Sequence, residues 1–353
     1  MSAKYKQVIV GFGGMGSWHA RNIIEKVPEI ELVGAYDLSP EALSKAEEMG
    51  LKAYKSLQEV LEDGSIDIIT IATPNDFHKK MSIDALYAGK NVVCEKPVTL
   101  NAAELEEIIY AAEKTGKLFS VHQNRRWDKD YLIVKNIIDS GDIGKPYFVE
   151  SRVQGSRRSM HGWRGHKLNG GGMVLDWCVH LLDQLLLMID SPVVSVTAHL
   201  FYIYSNEVDD NDKIMLRFEN GVSAVIEMST NCLINHPRWH ITCTDGTAVV
   251  ENWACEGRIM QLKTDSVMEW ADDIVYTEAG PTRTMAPRPK HTMEEMPLPQ
   301  VSSDWSEYYK NIVAVLDGRE ELIVKPAECL RVMKVIDAVF ESQEKGGSIS
   351  CNI

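Results

Sequence analysis

Between Tyr5 and His122 the chain alternates short runs rich in β-branched residues with longer stretches of mixed polarity. The runs KQVIVG, ELVGAYD, IDIITIAT, KNVVCEKP and KLFSVHQ are apolar nearly throughout, as expected of buried parallel strands covered on both faces. Strand and helix in alternation predict a doubly wound α/β sheet. Gly34, Gly89 and Gly116 are expected at or near element ends, and Ser39-Pro40-Glu41 reads as a helix start with proline at its first position.

After Asn124 the rhythm changes. One helix is expected at about Trp127 to Ser140, a strand from Tyr147 to Gln154, and a long helix from Gly172. Strands then follow without intervening helices. VVSVTAHLFYIY, DKIMLRFENGVSAVIEMST, WHITCTDGTAVVEN and RIMQLKTD read as an antiparallel meander, with Glu219-Asn220-Gly221 and Asp245-Gly246 as hairpin turns. Pro281, Pro287, Pro289, Pro297 and Pro299 make residues 279–300 an extended arm or loop rather than a core element. Two helices, about Asp304 to Leu316 and Pro326 to Glu344, close the chain. A length of 353 residues suits two domains. The change of rhythm divides them into residues 1–124 and 125–353, with a terminal helix able to pack back on the first domain.

Composition narrows the classes. Apolar residues make up 44% and charged residues 25%, which excludes wholesale disorder. A net charge of −14 opposes general affinity for nucleic acid or anionic lipid, since both are held by clustered Lys and Arg. Arg125, Arg126, Arg157 and Arg158 form a basic cluster that is either a solvated patch or an anion site. The seven cysteines are scattered and include no C-x-x-C pair, so a disulfide framework, a zinc ribbon or any other metal site is not expected, and a reducing cytoplasm is. MSAKYKQVIVGFGGMG enters a strand without an apolar leader, and no apolar run is read as approaching the ~20 residues that span a bilayer. A soluble protein that is not exported is expected.

The first motif is Gly11-Phe12-Gly13-Gly14-Met15-Gly16, a GxGxxG set between the strand VIV and a helix. Glycines there allow a tight turn, close approach of a pyrophosphate and close helix packing, while the helix N-terminus offers N–H groups to the anion. Asp37 ends the next strand about twenty residues on, where a carboxylate accepts from ribose hydroxyls and repels a 2′-phosphate. NAD(H) is therefore expected over NADP(H). Thr73, Pro74 and Asn75, after IDIITIAT, fall at the carboxyl edge of the sheet and should wall the cofactor, with His78 beyond them.

Two constellations add chemistry. Glu95-Lys96-Pro97 follows NVVC and leaves an amine at the same carboxyl edge, with Pro97 keeping Lys96 extended. In GGGMVLDWCVHLLDQLLLM, helical spacing places Asp176, His180, Asp183 and Gln184 on one face of a mostly apolar helix. Such a stripe is either a satisfied structural network or a functional one, since buried charge is costly unless paired. Asp176, one turn from His180, is expected to fix its tautomer and raise its basicity.

On GFGGMG, ATPN, EKP, HQNRRW, GWR and the GGG-x-x-x-D-x-x-x-H segment, essentially the whole chain resembles the Gfo/Idh/MocA oxidoreductases. The resemblance implies a Rossmann domain followed by an α+β domain with a large open, mainly antiparallel sheet, commonly paired through that sheet into homodimers or homotetramers. It implies Lys96, Asp176 and His180 as the catalytic group. Cys178 stands where that family often has glycine, and the Pro-rich segment 279–300 is longer than its simplest members carry, which suits an oligomer arm or a substrate lid.

The mechanism expected is transfer of a hydride from a secondary alcohol of a sugar, glycoside or cyclitol to nicotinamide. His180 or Lys96 takes the hydroxyl proton, and Lys96 also bonds the developing alkoxide. Trp127 and His161 are candidates for the substrate, and Trp163 and Arg164 for ring stacking and oxygen contacts. Asn124 is placed to bond the nicotinamide carboxamide, with Glu95 and Lys96 also near the cofactor. Two rival readings stand beside a freely exchanging dehydrogenase: an enzyme with tightly bound NAD that oxidises a glycoside transiently, for example at C3, and a non-catalytic NAD and sugar sensor.

Overall fold

The structure is a computed structural model and describes residues 4–263, 274–283 and 288–353. Strands β1 (Tyr5–Val10), β2 (Ile30–Tyr36), β3 (Lys52–Ala53), β4 (Ile68–Ile71), β5 (Asn91–Cys94) and β6 (Phe119–Val121) build an all-parallel sheet in the order β3-β2-β1-β4-β5-β6. This is the doubly wound dinucleotide-binding order, in which the order of strands reverses between β1 and β4 while all of them stay parallel. Its helices are α1 (Gly14–Lys26), α2 (Pro40–Glu48), α3 (Leu57–Glu62), α4 (His78–Tyr87) and α5 (Ala102–Thr115). Local chemistry starts them. Ser39 Oγ accepts from Ala42 N–H at the head of α2, and Asn101 Oδ1 accepts from Glu104 N–H at the head of α5.

The second unit contains α6 (Lys129–Ser140), β7 (Pro146–Gln154), α7 (Val179–Met188), β8 (Val193–Phe201), β9 (Asn211–Phe218), β10 (Ser223–Ser229), β11 (Trp239–Cys243), β12 (Gly246–Val250) and β13 (Gly257–Leu262). It continues with the β14 (Ile274–Thr277) and β15 (Gly280–Arg283) ribbon, β16 (Met293–Met296), α8 (Ser306–Leu316), α9 (Pro326–Lys345) and β17 (Ile349–Ser350). Nine of these strands form one sheet in the order β16-β13-β12-β11-β7-β10-β9-β8-β17. All its pairs are antiparallel except β7 with β10. The expected large, mainly antiparallel sheet is present, and β9 alternates buried and exposed residues in the manner of a sheet covered on one face.

α9 lies between the sheets. It packs on α5 and β6 on one side and on α7 and β8 on the other. Asp337 accepts from Ala102 N–H at 3.1 Å, and Ser342 Oγ accepts from Ala198 N–H at 2.9 Å. One apolar core runs through from Val8 and Ile69 to Val196 and Ile226.

Several expectations are corrected. Gly34 lies inside β2, where an added Cβ would meet the Tyr54 ring at 2.6 Å; its absence lets β3 approach. Part of the Pro-rich segment is an element after all, since β16 adds an edge strand to β13; Pro287 lies outside the described residues, as do Thr264 and Asp265 of the RIMQLKTD run. The helix expected from Gly172 opens with a π-helical turn, Val174–Cys178, before α7. One stretch, Lys167–Met188, is long and apolar enough to cross a membrane by length and composition, contrary to the sequence reading, and 78% of its apolar window is buried inside the protein. Its apolarity is that of a core helix.

Candidate active site

The glycine turn sits at the carboxyl end of β1. Gly11 has φ +90°, and an added Cβ would meet Ala72 O at 2.5 Å; one on Gly16 would run into Gly11 O. Gly13 and Gly14 have open space in front of them, and α1 begins there without a side-chain cap. Bare N–H groups above a Cβ-free surface are what a pyrophosphate requires, so these residues fit a dinucleotide. Asp37 closes the far side: Oδ2 accepts from Phe12 N–H at 2.6 Å and Oδ1 from Ser39 N–H at 2.8 Å.

From this turn a cleft of about 890 Å³ runs along the carboxyl edge of the parallel sheet. It brings together Gly11, Gly13, Gly14, Met15, Asp37, Thr73, Pro74, Asn75, Glu95, Lys96, Asn124, Trp163, Arg164, Asp176 and His180. Most candidates read from the sequence therefore share one wall, although they span residues 11 to 180. Five do not reach it. Phe12 and Gly16 are buried behind the turn, and His161 is exposed at the rim of its loop. Trp127 packs edge-on against Tyr308 at 6.0 Å. His78 is buried with its two ring nitrogens on Pro97 O and Thr73 O, at 2.8 and 2.9 Å, so it staples the two cleft-lining loops together.

The polar end of the cleft is built on Asp176. Lys96 Nζ donates to Asp176 O at 2.8 Å and to Oδ1 at 3.0 Å, and Arg164 Nε donates to the same Oδ1 at 3.1 Å. Burial opposes charge on this carboxyl, but Lys96 and Arg164 outweigh it and hold the pKa below the usual carboxylate value. The Lys96-Pro97 peptide is cis. The expected contact of Asp176 with His180 is absent from the hydrogen bonds of the described residues. The π turn between them, closed by i→i+5 bonds, removes the helical register that would stack residues four apart. His180 is instead buried with Nδ1 unpartnered, and burial first, then the charges of Lys96 and Arg125, push its pKa well below the ordinary value. It stands neutral at the wall of the cleft.

Behind Lys96 lies a buried polar chain. Glu95 Oε1 accepts from His19 Nε2 and from His122 Nδ1, both at 2.8 Å, while Glu95 Oε2 accepts from Lys96 N–H at 3.1 Å. His19 Nδ1 reaches Tyr309 OH at 2.9 Å, which joins α8 to the same knot. The ligand atoms of His19, Glu95 and His122 lie within 4.8 Å of one another, a metal-capable grouping that the sequence reading did not find. In the structure the carboxylate bonds both rings directly.

The rest of the polar stripe is structural. Asp183 takes a bidentate pair from Arg126 at 2.7 and 2.8 Å, and Gln184 Nε2 donates to Arg125 O at 2.8 Å. The basic cluster divides: Arg126 is buried on Asp183 and Glu328 and Arg158 lies 5.9 Å over Tyr204, while Arg125, 4.4 Å over the Trp177 ring, borders one cavity together with Arg157. Among the cleft residues that sequence reasoning missed are Trp18, Trp177 and Trp305, and Arg125 was read only as part of the basic cluster. Trp177, next to Asp176 in the chain, carried a signal; Trp305 arrives from the far terminus and carried none.

A six-stranded parallel sheet with this glycine turn, and a second sheet domain lending side chains to the same cleft, defines an NAD-binding oxidoreductase fold. Comparison with known proteins makes the assignment specific. Residues 5–123 match the oxidoreductase family, NAD-binding Rossmann fold, and residues 131–249 match the GFO/IDH/MocA C-terminal domain. The chain belongs to the Gfo/Idh/MocA family and is an NAD(P)-dependent oxidoreductase. It is 26% identical over 352 residues to scyllo-inositol 2-dehydrogenase (NADP(+)) of Bacillus subtilis, covering 97% of this chain and 94% of that one. It is 29% identical over 258 residues to scyllo-inositol 2-dehydrogenase (NAD(+)) of the same organism, covering 71% and 75%. The solved structure of an NAD-binding protein from Listeria innocua superimposes with a TM-score of 0.93 at 41% identity, covering 99% of this chain and 100% of that one.

Proposed function

We propose that the protein is an NAD-dependent dehydrogenase acting on a secondary hydroxyl of a cyclitol or pyranose sugar. The observation that carries this reading is the Lys96 ammonium, clamped on Asp176 in a cleft that also contains neutral His180 and the dinucleotide turn. Both Bacillus subtilis relatives are named for oxidising an inositol, which supports the substrate class. Their cofactors differ, so cofactor choice rests on this chain's own residues. Asp37 supplies a carboxylate beside the glycine turn at the end of β2, which would repel a 2′-phosphate, and the following residue is Leu38, 85% exposed, rather than an arginine able to grip that phosphate.

NAD supplies the hydride acceptor when bound. Gly13, Gly14 and the head of α1 would hold its pyrophosphate, and Asp37 its adenosine ribose. Asn124 and Glu95 line the cleft beside Lys96. Asp176 aims Lys96, so the lysine donates a hydrogen bond to the alcohol oxygen as negative charge grows there. His180 is neutral and takes the hydroxyl proton. Trp163, carrying Arg164 against its face at 4.4 Å, walls the opposite side.

The test is appearance of NADH absorbance at 340 nm with scyllo-inositol, myo-inositol, free hexoses, methyl glucoside and disaccharides. Net NADH formation with at least one is expected. Binding of NAD+ with no reduction by any member of the panel overturns the reading.

A further inference from the structure

The cleft does not end at Asp176. A second cavity of about 380 Å³ opens beyond it and shares Arg125, Asp176 and Trp177 with the first. Its other walls come from the second sheet and its loops: Gln154 at the end of β7, Arg157 in the loop after it, Thr230 just past β10, and Trp253 after β12. This volume lies in the range of small-molecule sites.

Its lining is specific. The Trp177 and Trp253 rings stand 6.0 Å apart at 51°, and the Arg125 guanidinium faces both, at 4.4 and 5.5 Å. Trp253 is 50% exposed at the cavity mouth, and the Arg238 guanidinium also lies 4.7 Å from its ring, so half of the indole is left to a ligand. Around these faces stand the exposed Ser156 and Ser159 hydroxyls and the Thr230 hydroxyl, which is buried without a partner, while Gln154 is already engaged with Glu227 and the His236 N–H. A purely apolar ligand would cover the serine hydroxyls without pairing them. A pyranose ring offers C–H faces to indoles and hydroxyls at its rim, which matches both halves of the lining.

We propose that this cavity is a second sugar subsite, and that the substrate is a two-ring glycoside with one ring at Lys96 and His180 and the other on the Trp177–Trp253 shelf. This rests on the oxidoreductase reading above for the identity of the first ring. Because Asp176 and Trp177 border both cavities, a glycosidic link passing beside them is enough to bridge the two rings. Arg157 also borders the cavity, so an anionic single-ring sugar is the competing ligand.

The experiment is calorimetric titration of the NAD+-loaded protein with methyl glucoside, glucuronate and a set of disaccharides differing in linkage, repeated on Trp253→Ala and Trp253→Phe, with NADH absorbance followed in parallel. At least one disaccharide is expected to bind about tenfold or more tightly than methyl glucoside. The ratio should fall toward one in Trp253→Ala and return in Trp253→Phe, which keeps a ring face. Equal or undetectable binding of one- and two-ring sugars, a ratio unmoved by Trp253→Ala, or tightest binding of glucuronate overturns the subsite. Trp253-dependent disaccharide binding without any NADH supports the subsite and counts against the dehydrogenase reading. Oxidation of methyl glucoside with no disaccharide advantage does the reverse.

Discussion

At the residue scale the site is a problem in where protons and charges sit. His180 has a folded-state pKa below the ordinary histidine value of about 6.5, because burial and the nearby Lys96 and Arg125 charges penalise its cation. It must be neutral to accept a proton, so kcat/KM should stay level through neutrality and fall only as pH drops through that lowered value. A pH profile whose acid limb has its midpoint at or above about 6.5 would contradict the assignment. Replacing His180 by Gln should lower kcat by roughly 100-fold and remove that limb. Lys96→Ala removes the amine that links Asp176 to the proposed position of the substrate oxygen, and a loss of at least about 100-fold in kcat is the expected outcome, with NAD+ affinity retained. Asp37 acts on binding instead. Asp37→Ser should weaken NAD+ about tenfold or more while NADP+ weakens less or gains, and the ratio of the two dissociation constants, measured by fluorescence titration, separates this from general damage to the turn.

At the scale of elements, what the sequence made legible was whatever repeats. Periodicity placed the long strands and the two closing helices close to their observed bounds, and the glycine turn and Asp37 were visible because their spacing is imposed by a ligand of fixed size. β3 and β17, two residues each, are too short to show a period. The pairing of Asp176 with Lys96 and Arg164 rather than His180 was hidden because a π turn leaves no mark in apolar spacing. That turn is held from behind by Asp209, whose Oδ2 accepts from Val174 N–H at 2.7 Å. Asp212 lies beside Asp209 as the second member of a buried carboxyl pair, and burial first, then the charge of Asp209, raises its pKa far above the usual carboxylate range. The sign follows directly. The unfolded chain loses this proton above about pH 4 while the folded chain keeps it, so stability is fully present at low pH and declines as pH rises toward the folded pKa. Asp212→Asn carries no such proton. Its Tm should match or exceed that of the parent, with the gap widening from pH 5 to pH 9; a gap independent of pH would show that Asp212 is ionised in the fold.

At the scale of the whole molecule, the cleft exists only while the two sheets keep their mutual position, and the buried ion pairs decide part of that. Arg126 leaves the first sheet just after β6, Asp183 sits on α7, and Glu328 opens α9, so one guanidinium joins three elements that meet beneath the cleft. Burial alone pushes the Asp183 carboxyl upward, yet the two-point contact at 2.7 and 2.8 Å satisfies both of its oxygens. The pair is therefore costly to form and costlier to break from one side. Asp183→Ala should destabilise the protein by about 3–5 kcal/mol, because it strands a charge that has almost no access to water. Arg126→Met with Asp183→Leu removes both charges at similar volume and should recover most of that loss, since the desolvation of two ions disappears along with their attraction. Urea unfolding of the parent, both single variants and the double variant gives the coupling directly. If the double variant is as unstable as Asp183→Ala, the connection depends on Glu328 and the Ile323 carbonyl, which also accept from Arg126, more than on the pair itself. NAD+ affinity measured on the same four proteins then separates the two roles: a double variant that regains stability but binds NAD+ as poorly as the single one would mean that the charges set the alignment of the sheets, whereas recovery of both would mean that any well-packed core at this junction holds the cleft open to the cofactor.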